Sequence, residues 1–346
     1  LTERAGGKMK ALVFHGPLKM KWEDVPEPKL QDGEVLVKVK AVGICGSDIH
    51  GYQGKTKRRI PPMVMGHEAA GEVAALGPKA NKFSVGQGVI IQPLMGCGDC
   101  PACGQGEINQ CSGRSLLGVN APGAMAEYVV VREKNLYPLP KGVSYSAASM
   151  VEPMSVVAHA LSRTPSLLHK KVAVIGTGTI GLLAVMMARA GGALQLFAVD
   201  LSDYRLGLAK ELGADAVINS GRQDAGEIIK EKTGHGVDIV IECVGVAPAV
   251  QTAIASVRNG GHITLIGNSA AMMELPEQEL VVRELSVAGT YAFNREFPVM
   301  VEALGKGSLP VDKLISLQAP LEEGAEVFAK LGQGEDERVI KAVLCG

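Results

Sequence analysis

The sequence predicts an α/β protein in two parts, a β-rich, barrel-like or partly open domain and a doubly wound parallel sheet. Three observations predict it. From Met9 to about Val131 short β-rich runs are broken by Gly and Pro, whereas beyond Lys171 strand-like runs alternate with amphipathic helical stretches. Between the first of those later strands and its helix stands Gly176-x-Gly178-x-x-Gly181. The length, 346 residues, exceeds what one hydrophobic core usually organises.

In the first part the strand candidates are KALVFHG (10–16), GEVLVKVKAVGI (33–44), GEVAALG (71–77), QGVIIQP (87–93) and AEYVVV (126–131). In the second they are KVAVIG (171–176), LQLFAVD (194–200), DAVIN (215–219), VDIVIEC (237–243), GHITLIG (261–267) and LSVAGTYA (285–292). Helical stretches such as IGLLAVMMARA (180–190) and SDYRLGLAKELGA (202–214) separate several of these, as a parallel sheet requires. The tail, with helix VMVEALGKG (299–307) and a closing VIKAVLC (339–345), is expected to pack back on the first part. The expected division is therefore 1–156 with 295–346 for the β-rich domain and 157–294 for the sheet domain.

Charge excludes some function classes. With 35 basic and 36 acidic residues the net charge is -1, which removes the electrostatic footprint of a nucleic-acid binder or a membrane-surface protein. The longest apolar stretch, Ile180 to Val199, is interrupted by Arg189 and by Gly191-Gly192, so no membrane span is expected. No apolar leader stands before the fold, and Met9 is the expected native start, with Leu1–Lys8 an upstream extension. Seven cysteines without a secretion signal place the chain in a reducing cytoplasm, where clustered thiols bind metal more often than they pair.

The motif Gly176-x-Gly178-Thr179-Ile180-Gly181 suits a dinucleotide: a tight turn, a close approach to pyrophosphate, and close packing of helix on strand. The phosphate then sits at the positive end of a helix. Asp200, 24 residues after Gly176, is placed to accept from ribose hydroxyls and to repel the extra phosphate of NADP, so NAD is expected. Arg205 is placed either over the adenine or on the surface at a helix start. Cys243, Val244, Ile266, Gly267 and Thr290, at the ends of the later strands, complete the candidate cofactor set.

Cys97, Cys100, Cys103 and Cys111 follow the spacing C-x2-C-x2-C-x7-C, which matches a closed, tetrahedral structural zinc. The bacterial ferredoxin run has a different last spacing and a following Pro. Cys45, His67, Glu68 and Glu152 form a second, scattered group of mixed S, N and O donors, as a catalytic zinc with an exchangeable position needs. Singly, each has a plainer reading: a buried thiol, a packed imidazole, or a carboxylate capping a helix beside Pro153.

The segments GICGSDIH, GHEAAGEVAALG, CGDCPACGQGEINQC, AEYVVV, EPMSVVAHA and VIGTGTIGLLA occur in the order found in zinc-dependent medium-chain dehydrogenases. The chain resembles that family, and within it the polyol (sorbitol-type) branch. The resemblance implies a GroES-like catalytic domain, a Rossmann cofactor domain, NAD, and two zinc ions per subunit. It implies that Cys45, His67 and either Glu68 or Glu152, directly or through water, hold the catalytic zinc. His67 and Glu68 are adjacent and would point to opposite faces of a regular strand, so the backbone must bend, which Gly66 makes feasible. By resemblance, Ser47 takes the alcohol proton and His50 passes it to solvent while hydride leaves for the nicotinamide; otherwise both merely satisfy loop hydrogen bonds.

The implied substrate is a polyol. A threonine-like 3-hydroxy amino acid is the nearest rival, and a non-catalytic NAD-binding regulator is the reading from another class. The place of the sorbitol-type substrate contacts reads Ala292-Phe293, followed by Asn294 and Arg295, so those contacts differ here. The basic run Lys55-Thr56-Lys57-Arg58-Arg59 reads as a solvated loop rather than a phosphate recruiter, and Tyr52 as either a pocket or a packing residue. The resemblance also implies a homodimer or homotetramer, with LSVAGTYA near the contact.

Overall fold

The computed structural model describes residues 7–334 and 338–346; residues 1–6, most of the stretch read as an upstream extension, lie outside the described residues. The chain divides into two compact units, one running to Glu152 and resuming at Asn294–Gly346, the other Pro153–Phe293.

The first unit is built on a long strand, Glu34–Ile44, whose alternating valines face a core of Leu12, Phe14, Met65, Val89, Ile91 and Phe328. Strand Glu68–Leu76 pairs antiparallel along one side of it and Tyr128–Arg132 along part of its length. Gly88–Ile91 and Leu136–Pro138 extend the sheet outward. On the other side lies Lys341–Cys345, antiparallel to Glu34–Ile44 and parallel to Ile315–Pro320, so the tail completes the sheet begun near the start of the chain. A smaller sheet joins Lys8–Gly16 to Lys19–Pro26 and Met63–Val64. Lys19–Pro26 and Ile315–Pro320 were not expected from sequence. The first shows few β-branched residues and buries only Met20, its pairing being set by the turn at Leu18, whose φ is 59°.

The second unit is a six-stranded, all-parallel sheet in the order Ala216–Asn219, Gln195–Asp200, Lys171–Ile175, Val237–Glu242, Val257–Leu265, Ser286–Gly289. In chain order this is 3-2-1-4-5-6, the doubly wound arrangement that binds at the carboxyl ends of its strands. The inner strands are continuous apolar runs because helices cover the sheet; Thr179–Ala190 buries eight consecutive residues, Gly181 to Ala188. Both expected architectures are present. No helix among the described residues is long and apolar enough to cross a membrane.

Candidate active site and metal centres

Topology gathers the scattered donors. Strand Glu34–Ile44 delivers Cys45 at its end, where Cys45 caps helix Gly46–Tyr52: its Sγ accepts from Ser47 N at 3.5 Å, and Asp48 Oδ2 accepts from Cys45 N at 3.0 Å. The flanking strands run antiparallel, so their first residues meet that end. Glu68, paired with Gly43, begins one; Lys341, preceding the partner of Ile44, begins the other. Gly66, at a φ of 95°, supplies the bend that brings adjacent His67 and Glu68 to one side. Donor atoms of Cys45, His67 and Glu68 consequently lie within 4.8 Å of one another. Glu152, buried on the first turn of helix Val151–Ser162, falls outside that trio.

The electrostatics of this cluster call for a cation. Burial pushes the Cys45 thiol up to about 11, and Glu68 and Asp48 add to the rise. Burial likewise pushes Glu152 up to about 8; His67 opposes this while Glu68 and Cys45 reinforce it. Lys341 is the resident countercharge: its Nζ donates to Glu68 Oε2 at 2.6 Å, to Oε1 at 2.9 Å and to Ile44 O at 3.2 Å. Burial works against its charge, but Glu68 and Cys45 raise its pKa. A half-buried thiol and two buried carboxyls thus share one ammonium. His67 Nδ1 is buried without a hydrogen bond, 3.6 Å from Asp48 Oδ1. This is a donor set that zinc fits, with a carboxylate placed to orient the imidazole.

Ser47 and His50 share helix Gly46–Tyr52. Ser47 is exposed and His50 half-buried, its pKa lowered from the ordinary 6.5 by burial and by Lys55 and Arg59. One expectation needs correction. Lys55, Lys57 and Arg58 are exposed as a solvated loop should be, but Arg59 is buried and paired with Asp48 at 2.5 Å, because a buried carboxylate attracts the one cation that reaches it. Tyr52 is a core residue, its ring 5.5 Å from that of Phe328 and its hydroxyl donating to Leu18 O.

In the four-cysteine lobe all Sγ atoms lie within 4.8 Å of one another, and Cys97 and Cys103 are 4.0 Å apart. A tetrahedron with Zn–S bonds of about 2.3 Å has edges of roughly 3.8 Å, so the sulfurs stand close to zinc geometry. Backbone N–H groups of Asp99 and Cys100, with the sulfurs of Cys111 and Cys100, bring Cys97 down to about 6. At Cys103 the Gly98 N–H also pulls downward, but desolvation and the three other sulfurs push it up to about 11. Asn294 Oδ1 accepts from Asn109 N at 3.0 Å, and Arg295 Nη2 donates to Gln105 O at 2.5 Å. Asn294 and Arg295 therefore tie down this lobe, and Phe293, at the place read as a substrate contact, is fully buried.

In the second unit the candidate cofactor residues line the carboxyl ends of neighbouring strands. Gly176, at a φ of 85°, ends Lys171–Ile175, and helix Thr179–Ala190, with Ile180 in its first turn, begins after Gly178. A Cβ on Gly181 would stand 1.7 Å from Gly176 O, whereas one on Gly178 would meet nothing within 4 Å, leaving that backbone open to a phosphate. Asp200 Oδ2 accepts from Thr177 N at 2.6 Å and Oδ1 from Leu201 N and Ser202 N, so the carboxylate is locked beside the turn. Thr177 Oγ1 and Arg205 Nε are buried without hydrogen bonds. Cys243 N bonds Ile175 O, Ile266 and Gly267 donate to Glu242 O, Thr290 donates to Leu265 O, and the place of a Gly176 Cβ lies 2.3 Å from Val244. Burial raises the Cys243 thiol well above its ordinary range.

Sequence reasoning missed Asp48, Arg59, Lys341 and Glu242. Asp48 carried a signal, the capping-box spacing from Cys45. Glu242 closes the strand Val237–Glu242, which also carries Asp238; it is fully buried, its Oε1 accepts from Val244 N at 2.7 Å and Gly245 N at 2.8 Å, and its Oε2 has no hydrogen-bond partner. It shapes the loop that carries Val244.

A cysteine–histidine–glutamate trio in a GroES-like unit, a closed four-cysteine lobe and a doubly wound sheet with an open glycine turn define the class: a zinc-dependent dehydrogenase using a nicotinamide dinucleotide. Residues 31–141 match the alcohol dehydrogenase GroES-like domain, and residues 179–306 match the zinc-binding dehydrogenase family. The chain is 36% identical over 343 residues to a sorbitol dehydrogenase of Bacillus subtilis (strain 168), covering 97% of each protein. Among solved structures, a short chain alcohol dehydrogenase of Escherichia coli CFT073 complexed with NADH superposes with a TM-score of 0.92 at 31% identity, covering 99% of this chain and 100% of that one. A zinc-binding dehydrogenase from Sinorhizobium meliloti 1021 bound to NADP gives a TM-score of 0.92 at 28% identity, with 98% and 100% covered. The chain belongs to the zinc-dependent medium-chain dehydrogenase/reductase family.

Proposed function

We propose that this protein oxidises a secondary alcohol of a polyol or sugar alcohol to a ketone, with NAD as acceptor and two zinc ions per subunit. The observation that carries the proposal is the convergence of Cys45, His67 and Glu68 beside an exposed Ser47. Bound there, zinc would supply the Lewis acidity that eases loss of an alcohol proton at neutral pH, and NAD would supply the hydride acceptor. Cys45, His67 and Glu68 hold the catalytic ion, with Glu152 as the further carboxyl of the site; Cys97, Cys100, Cys103 and Cys111 hold the structural one. Ser47 takes the alcohol proton and His50 passes it to solvent. The sorbitol-type relative supports the polyol class. A panel of polyols, 3-hydroxy amino acids and simple alcohols with NAD, followed at the NADH absorbance, tests it. Turnover highest on polyols is expected; turnover confined to 3-hydroxy amino acids overturns the substrate class.

The preference for NAD follows from Asp200. Asp200→Ala removes charge-assisted bonds of about 1.5–3 kcal/mol, so KM for NAD should rise roughly ten- to a hundredfold, while KM for NADP rises far less. Comparing the two cofactors separates the ribose contact from the backbone bonds Asp200 also makes, because loss of the turn weakens both alike.

His50 sets a pH dependence. Its pKa is lowered in the folded protein, so it stays neutral below the pH where an unfolded histidine takes a proton, and folding loses stability as pH falls through 6.5. As a relay it works in the neutral form. We expect kcat to rise with pH through a midpoint below 6.5, and His50→Gln to be slow and to lack that limb.

We infer a homodimer or homotetramer, contacting through the sheet edge at Ser286–Gly289. That strand is paired on one side, and Val281, Val282, Val287 and Tyr291 are exposed around it. A monomer mass in light scattering contradicts this. The cysteine usage fits a cytoplasmic location.

A further inference from the structure

Arg59 stands outside every motif that defines the site, yet it is the one buried arginine among the described residues. Four of its contacts are hydrogen bonds to the parts around the catalytic cluster. Nη1 donates to Ser47 O at 2.9 Å, and Nη2 donates to Ser47 Oγ at 3.2 Å and to Asp48 Oδ1 at 2.5 Å. Nε donates to Gly118 O at 3.1 Å, and the place where a Gly118 Cβ would stand is 2.4 Å from Gly66 N, one residue before His67. Room for the arginine stem is built in: a Cβ on Gly51 would meet Arg59 Cδ at 2.8 Å.

We propose that Arg59 is a positioning residue that holds the relay serine and the carboxylate behind the zinc histidine as one rigid piece. The inference rests on the functional reading above. A planar guanidinium makes these bonds at once because its donors are fixed in a fork. By occupying one acceptor site of Ser47 Oγ, Arg59 fixes the hydroxyl's placement and leaves a second lone pair for an incoming alcohol. By pairing with Asp48, whose other oxygen holds Cys45 N, it fixes the carboxylate that faces His67 Nδ1. One side chain thereby sets the orientation of a metal ligand's partner and of the proton acceptor.

The test uses Arg59→Ala and Arg59→Lys in the full-length protein. For Arg59→Ala we expect kcat to fall roughly 10- to 100-fold and zinc affinity of the Cys45 site to fall by a similar factor. KM for NAD and the zinc of the four-cysteine lobe should be unchanged, and added ethylguanidine should restore part of kcat. Arg59→Lys keeps the charge but not the fork, so it should fold, hold both zinc ions and still lose kcat; should the alanine variant fail to fold, the lysine variant decides. Wild-type kcat and zinc affinity in the lysine variant overturn the inference. So does a uniform loss of kcat, NAD affinity and melting temperature without rescue. A wild-type protein that oxidises no alcohol and holds zinc in the lobe alone brings down the underlying reading instead.

Discussion

Cys45→Ser is expected to abolish turnover while removing one of two zinc ions. The serine hydroxyl preserves the helix cap that Cys45 Sγ makes to Ser47 N, so the local fold survives. What it cannot preserve is a thiolate, the softest and most strongly held donor of the trio. Without it the ion must rely on His67 and on Glu68, whose carboxylate is already bound by Lys341. Lewis-acid stabilisation is worth several kcal/mol, so kcat should fall by about a thousandfold or more. Metal analysis should retain the lobe's zinc, because its four sulfurs belong to a separate loop. A fully active Cys45→Ser enzyme contradicts the mechanism.

The second large effect is expected in the other unit. Gly181→Ala places a methyl 1.7 Å from Gly176 O, a backbone atom with no side-chain freedom to yield. Helix Thr179–Ala190 must move from strand Lys171–Ile175, at about 3 kcal/mol or more, and NAD affinity should fall at least about tenfold. Gly178→Ala is the control. Its Cβ meets nothing within 4 Å, so the melting temperature should hold and only NAD binding should weaken. Melting curves with NADH fluorescence titration separate the two; equal melting losses for both variants contradict the packing account.

Features written in contiguous residues are legible in the sequence alone. The four-cysteine lobe spans Cys97 to Cys111, and the glycine turn lies between a strand and a helix of strong periodicity. Both declare themselves through local spacing. The catalytic cluster is half legible: Cys45, His67 and Glu68 stand out as donor types, but Lys341 lies 273 residues from Glu68 and becomes its partner only because the last strand pairs with Glu34–Ile44. Arg59 is hidden in a run of like charges, where solvation is the ordinary fate; Asp48 and the space at Gly51 decide its burial. Lys19–Pro26 does not read as a strand because its charged faces are exposed and its pairing comes from the neighbouring strand.

Anomalous diffraction at the zinc edge, from crystals of the full-length protein soaked with NAD, locates the ions directly. Two peaks per subunit are expected, one enclosed by Cys97, Cys100, Cys103 and Cys111 and the other bounded by Cys45, His67 and Glu68. A single peak in the cysteine lobe, from protein that oxidises alcohols at full rate, contradicts the assignment of the second site.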